Sequence, residues 1–290
     1  MSWPRRALAA ALVAAGTLAA APGSAQGVLG SPLRAEDRAY FASYNVISAS
    51  PDDAELSAFH AAPQLSAGLR LSRVFHLSAD VPGAMTSYRV VGEPRRASFR
   101  LGNPLVSAHA ALIDRPRQAL RVGLGVGAPL ATFPGTIPAN TQAEYGYLVA
   151  TSARGFGEHW LWAPNAVPLV ALLHGRVELS VPVVLGAEIA PAMLFSVSSN
   201  PSRFMVATAA YAGYRLGPVT PGLRLQLFAM SEPLSSRDQG QWAAAGFVDA
   251  ELGAVFLRSQ VLVNLDAPFG IAGQRGATVW GGALGGGVRL

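Results

Sequence analysis

The titratable chemistry of this 290-residue chain rests on 22 arginines, 17 carboxylates and five histidines, with no lysine and no cysteine. Thiol nucleophiles, thiolate metal sites and disulfides are thereby excluded. His60, His76, His109, His159 and His174 show neither the i, i+4 pairing nor the H-E-x-x-H motif of a helical metal site, so no metal and no cofactor is expected. His76 and His109 recur with Ser78 and Ser107 on one parity of their segments, the residue types of a serine hydrolase. The same residues are ordinary fillers of a polar face, and a non-enzymatic protein is the better reading. Glycine-rich 123–127 and 281–287 have neither the lysine nor the strand–loop–helix setting of a phosphate loop.

The arginines are more telling. Arg70, Arg121, Arg176 and Arg224, with Glu178, Asp249 and Glu251, stand on the polar parity of segments that alternate with period two. In 120–130 one parity holds Leu120, Val122, Leu124, Val126 and Leu130, and the other holds Arg121 and glycines. In 176–188 Val177, Leu179, Val181, Val183 and Leu185 oppose Arg176, Glu178 and Glu188. In 65–81 Leu65, Leu69, Phe75 and Leu77 oppose Ser66, Arg70, His76 and Asp80, with a break at Arg73 and Val74 that a bulge would absorb. A soluble sandwich would show a charged wet face. Only 13% of this chain is charged and 51% is hydrophobic. After residue 26 no run of 18 apolar residues occurs, so a helical membrane span is excluded. The pattern fits a closed barrel, apolar outside, with Arg70, Arg121, Arg176, Arg224, Glu178, Asp249, Glu251, His76 and His109 lining the lumen.

Residues 1–25 read as a secretory signal peptide, with Arg5 and Arg6 before a small-residue apolar stretch and Gly23-Ser24-Ala25 at the cleavage site. Its removal takes two arginines from the formal +5 and leaves +3, too little to point to nucleic acid. Residues 26–64 are the most charged stretch and read as an N-terminal periplasmic segment, with a short helix over 51–61, that partly plugs the barrel mouth. Residues 65–290 form the barrel.

The final segment places Thr278, Trp280, Gly282, Leu284, Gly286, Val288 and Leu290 on one parity up to the last residue. With this strand and loops that alternate long and short backwards from the C-terminus, the chain resembles bacterial outer-membrane β-barrels over roughly 65–290, although those usually end in phenylalanine. The resemblance implies an all-β, up-and-down antiparallel transmembrane barrel of about ten strands, or about twelve if 39–47 and 84–91 also span. Tight turns are expected at 114–117, 174–175, 217–221 and 258–259, and long connections at 81–98, 131–164, 190–202, 231–241 and 267–276. It further implies outer-membrane lipid as surroundings, engagement of the barrel-assembly machinery through the C-terminal strand, and passage or binding of small solutes. Phe99-Arg100-Leu101-Gly102-Asn103-Pro104, leading to 122–129, also resembles small transporter-like barrels associated with uptake of aromatic or apolar compounds.

In the longest connection, 131–164, a helix is expected over 140–154, capped by Asn140 and ended by Gly155. Phe156, Trp160 and Trp162 follow, as membrane-interface anchors or as parts of a ligand lid. The function expected is passive solute passage with anion preference. The alternative is a structural barrel with a filled lumen that binds a partner through its loops.

Overall fold

Period-two alternation becomes strand throughout the computed structural model. It describes residues 40–49, 56–90, 96–132, 147, 150–151, 154, 156–198, 201–231, 240–266 and 280–289, and for 40–60, 88–90, 96 and 289 the backbone only. The residues 1–39, and with them the signal peptide, lie outside the described residues, as does most of the expected 140–154 helix.

The strands in chain order are β1 (Tyr40–Ala49), β2 (Leu56–Ala61), β3 (Gln64–Arg70), β4 (Phe75–Val90), β5 (Arg96–Leu101), β6 (Leu105–Arg115) and β7 (Gln118–Gly127). After a long connection come β8 (Ala166–Glu178), β9 (Val183–Ser196), β10 (Arg203–Tyr214), β11 (Val219–Met230), β12 (Gly240–Leu252), β13 (Val255–Asn264) and β14 (Trp280–Arg289). Every pairing among the described strands is antiparallel, and β14 returns to β1 from Arg289↔Phe41 to Gly281↔Ala49. The sheet therefore closes on itself. Strands β2 and β3 lie end to end between β1 and β4. In the same way β5 and β6 both run along β4. The fourteen segments thus make twelve crossings, the higher of the two expected counts.

Two turns were hidden in the sequence for one reason. Residues 71–74 form a hairpin turn, not a bulge, with the Leu71 and Ser72 amides donating to Phe75 O and the Val74 and Phe75 amides donating to Ser72 Oγ. Its register pairs Arg70 with His76, both even-numbered, so the alternation runs through the turn without a phase change. The hairpin at 179–182 does the same by pairing Glu178 with Val184. The turn expected at 174–175 is consequently inside β8, and 190–196 is strand. The turn expected at 258–259 lies instead at 253–254, where Gly253 has φ +66°, a conformation that suits glycine. The barrel wall also begins earlier than residue 65. Strands β1 and β2 occupy 40–49 and 56–61, where a periplasmic segment with a helix was expected, and β4 runs through 81–90, where a loop was expected.

Turns at one end are short (71–74, 116–117, 179–182, 215–218, 253–254), and the long connections all lie at the other. Leu65, Phe75, Leu124, Val126, Leu173, Leu185, Phe204, Leu223, Val261 and Leu284 point outward and are exposed. An apolar surface that continuous is foreign to water-soluble monomers and matches a lipid-facing band. Among the described residues no helix is long and apolar enough to cross a membrane; strands do the crossing. The inner face has two zones. On β8 it runs Ala166, Val170 and Leu172 from the long-loop end, then His174, Arg176 and Glu178.

Candidate functional site: a segment folded into the lumen

The connection between β7 and β8 turns into the barrel instead of lying over it. Phe156, Trp160, Leu161 and Trp162 are exposed by no more than 1%. Their neighbours are inner-face residues of the apolar zone: Leu105, Val170, Leu194, Met205 and Phe228. The phenyl rings of Phe156 and Phe228 stack at 5.4 Å between centroids. Trp160 and Trp162 are therefore not membrane-interface anchors. Their position follows from the inner wall, whose upper zone is as apolar as the outside and would be wet without them. Burying one large aromatic side chain is worth about 2–3 kcal/mol, which also offsets the left-handed backbone of Phe156 (φ 61°).

The segment's polar groups are tied to interruptions in the wall. Where β5 gives way to β6, the buried Asn103 donates through Nδ2 to Trp160 O (3.0 Å) and Ala163 O (2.8 Å), and its amide donates to Leu161 O (2.6 Å). Its Oδ1 accepts from the Ala131 amide (2.9 Å). Gly102 beside it tolerates no side chain, since a Cβ there would lie 2.3 Å from Leu161 O. At the break on the other side of β4, Arg154 donates through Nη1 to Gln64 Oε1 (2.7 Å) and to Glu158, and reaches Ala62 O, between β2 and β3, at 3.5 Å. Its guanidinium lies 4.6 Å from the centre of the Trp162 ring, and its carbonyl accepts from Gln226 Nε2 of β11. Burial pushes the Glu158 carboxyl up, with Arg154 opposing. Burial, aided by Arg203, pushes the His159 imidazole down to about 4.

The expected lumen residues all stand on the inner parity, mostly toward the short-turn end. Arg176 and Glu178 come together (3.8 Å), joined by Arg215, which lies 2.9 Å from Glu178. Arg224 pairs with Glu188 at 3.0 Å and Asp249 with Arg258 at 3.6 Å. His76 and His109 are directly opposed across β4 and β6. Arg121 is buried, Arg70 donates to Ser72 O in the hairpin turn, and Glu251 sits at the turn end of β12. Ser78 Oγ and His109 Nε2 lie 3.0 Å apart, but the Nδ1 side of the ring packs on Gly123, and Asp80 accepts from Ser66 and Gln64 instead. Among the described residues this is two members of a triad without the orienting acid. Asn103, Arg154 and Glu158 were missed because period-two reasoning assigns no side to residues in loops and strand breaks, whereas Gln64 and Gln226 share the inner parity of Arg70 and Arg224 and were passed over as uncharged. The one signal was the Gly102-Asn103-Pro104 run itself.

The closed twelve-crossing wall and its inward segment can be set beside known proteins. No protein-family model and no curated protein matches the chain. Among solved structures it is similar to the COG4313 outer membrane channel from Pseudomonas putida F1, with a TM-score of 0.59 at 10% identity over 91% of this chain and 99% of that one. It is also similar to the NanC porin, with a TM-score of 0.51 at 7% identity over 85% of this chain and 100% of that one. The fold is that of an outer-membrane β-barrel. At these identities the likeness speaks for architecture alone.

Proposed function

We propose that this protein resides in the bacterial outer membrane as a channel for small solutes, held narrow by the segment around 154–163. The observation that carries this reading is the combination of an apolar outer band with a segment docked inside the barrel through a few polar contacts. Outward leucines and phenylalanines call for lipid, and the similar solved structures are a porin and a channel. The 1–25 leader would direct export, and β14 would present itself to the assembly machinery.

The inner charges support an anion preference. Arg70, Arg121, Arg176, Arg215, Arg224 and Arg258 face Glu178, Glu188, Asp249 and Glu251. Ion pairing offsets much of the field, so the expected preference is modest, on the order of a few-fold in permeability ratio. Reversal potentials of the mature protein in planar bilayers under a salt gradient test this. Anion selectivity is expected, and cation selectivity would contradict it. The complete burial of Trp160 and Trp162 also favours a second reading, a filled structural barrel that meets a partner through its loops. That reading requires no conductance of the intact mature protein.

A further inference from the structure

A guanidinium offers two edges on which a planar carboxylate can sit in a two-point fork, one formed by Nη1 and Nη2 and one by Nε and Nη2. In Arg154 the Nη1 group is shared by Glu158 and Gln64. The other edge is barely used: among the described residues Nη2 has only the 3.5 Å approach to Ala62 O, and Nε is buried with no hydrogen-bond partner. The side chain is 9% exposed, so this donor is withheld from bulk water. A buried donor left without an acceptor is destabilising, and a bound acceptor would recover that. The surroundings are apolar and aromatic: Trp162 lies against the guanidinium, and Phe156 stacks on Phe228 in the same cluster. Arg154 also joins opposite walls, by its side chain to β3 and by its carbonyl to β11. Any group that draws on it acts where the docked segment is held.

We propose that Arg154 is a binding site for the carboxylate of a small solute with an apolar body, taken on the Nε/Nη2 edge in competition with Glu158. Glu158, four residues along and 11% exposed at its side chain, is then an internal occupant of the same guanidinium. A second carboxylate on Arg154 repels it and weakens its hold on the segment. The inference rests on the reading of the barrel as a path for solutes, and names the solute chemistry that the inward segment recognises.

The test is calorimetric titration of the folded full-length mature protein in detergent with benzoate, and with benzyl alcohol as the uncharged analogue. Saturable benzoate binding is expected, with none for benzyl alcohol beyond its partition into empty micelles. Arg154→Gln should weaken benzoate at least about tenfold, the loss of one charge-assisted contact. Arg154→Lys, which keeps the charge without the fork, should fall between. Glu158→Gln should tighten binding about three- to tenfold by removing the competing charge. Heat-modifiable migration on a gel verifies that each variant is folded, and if Arg154→Gln is not, the opposed effects of Arg154→Lys and Glu158→Gln decide. Equal binding of both compounds, or benzoate affinity unmoved in Glu158→Gln and Arg154→Lys, overturns the proposal. Arg154-dependent binding without conductance in any variant would keep the site and defeat the channel reading. Conductance with no such binding would do the reverse.

Discussion

At the scale of single residues the docked segment depends on a small number of polar atoms in apolar surroundings. Asn103 is the clearest case, since its carboxamide binds two carbonyls and one amide of the connection at once. Asn103→Ala strands these groups, at about 1–3 kcal/mol for each that stays buried. The expected outcome is release of the segment, read as a red shift in tryptophan emission and greater protease access. Asn103→Asp, which keeps the acceptor but sets a buried carboxylate oxygen against two carbonyls, should release the segment at least as fully. His159 gives the segment a pH dependence whose sign is fixed by its low value of about 4 when docked. The undocked imidazole takes up a proton near 6.5 and the docked one resists, so docking weakens as pH falls from 6.5 toward 4. Glu158, raised when docked, works in the opposite sense. In Glu158→Gln the acid-induced release should therefore be steeper, and His159→Gln should flatten it, both followed by tryptophan emission against pH.

At the scale of elements the sequence was legible wherever a strand continued and illegible where it reversed without a change of phase. The outward placement of Leu124 and Val126 and the inward placement of Arg121 on β7 follow from alternation alone. The turns at 71–74 and 179–182 do not, because Arg70 pairs with His76 and Glu178 with Val184, even with even. Tryptophan type was a poor guide for a related reason. Trp160 and Trp162 look alike whether the apolar surface they cover is lipid or the inner wall, and only the closed fold distinguishes the two. The hairpin at 253–254 had a usable signal in Gly253. With φ +66° there, Gly253→Val should cost about 1–2 kcal/mol, seen as a lower thermal midpoint for loss of the heat-resistant gel form.

At the scale of the whole molecule the chain is a cylinder with two apolar surfaces, one turned to lipid and one turned inward and covered by its own loop. A composition of 51% hydrophobic and 13% charged residues reported both surfaces at once, so the outer one was inferred and the inner one was not. The outer surface makes a sharp prediction. Leu223 is 71% exposed on the lipid-facing parity of β11, and Leu223→Arg should destabilise the inserted barrel by up to about 2–4 kcal/mol, depending on depth. The shift would be read from urea unfolding in lipid vesicles. The inner surface makes the decisive one. Single-channel conductance in planar bilayers should be compared between the mature protein and a variant in which residues 147–163 are replaced by a short glycine–serine linker. A several-fold rise in conductance for the variant is the outcome expected of a bore narrowed by its own inward segment, and unchanged conductance, or none in either protein, would contradict it.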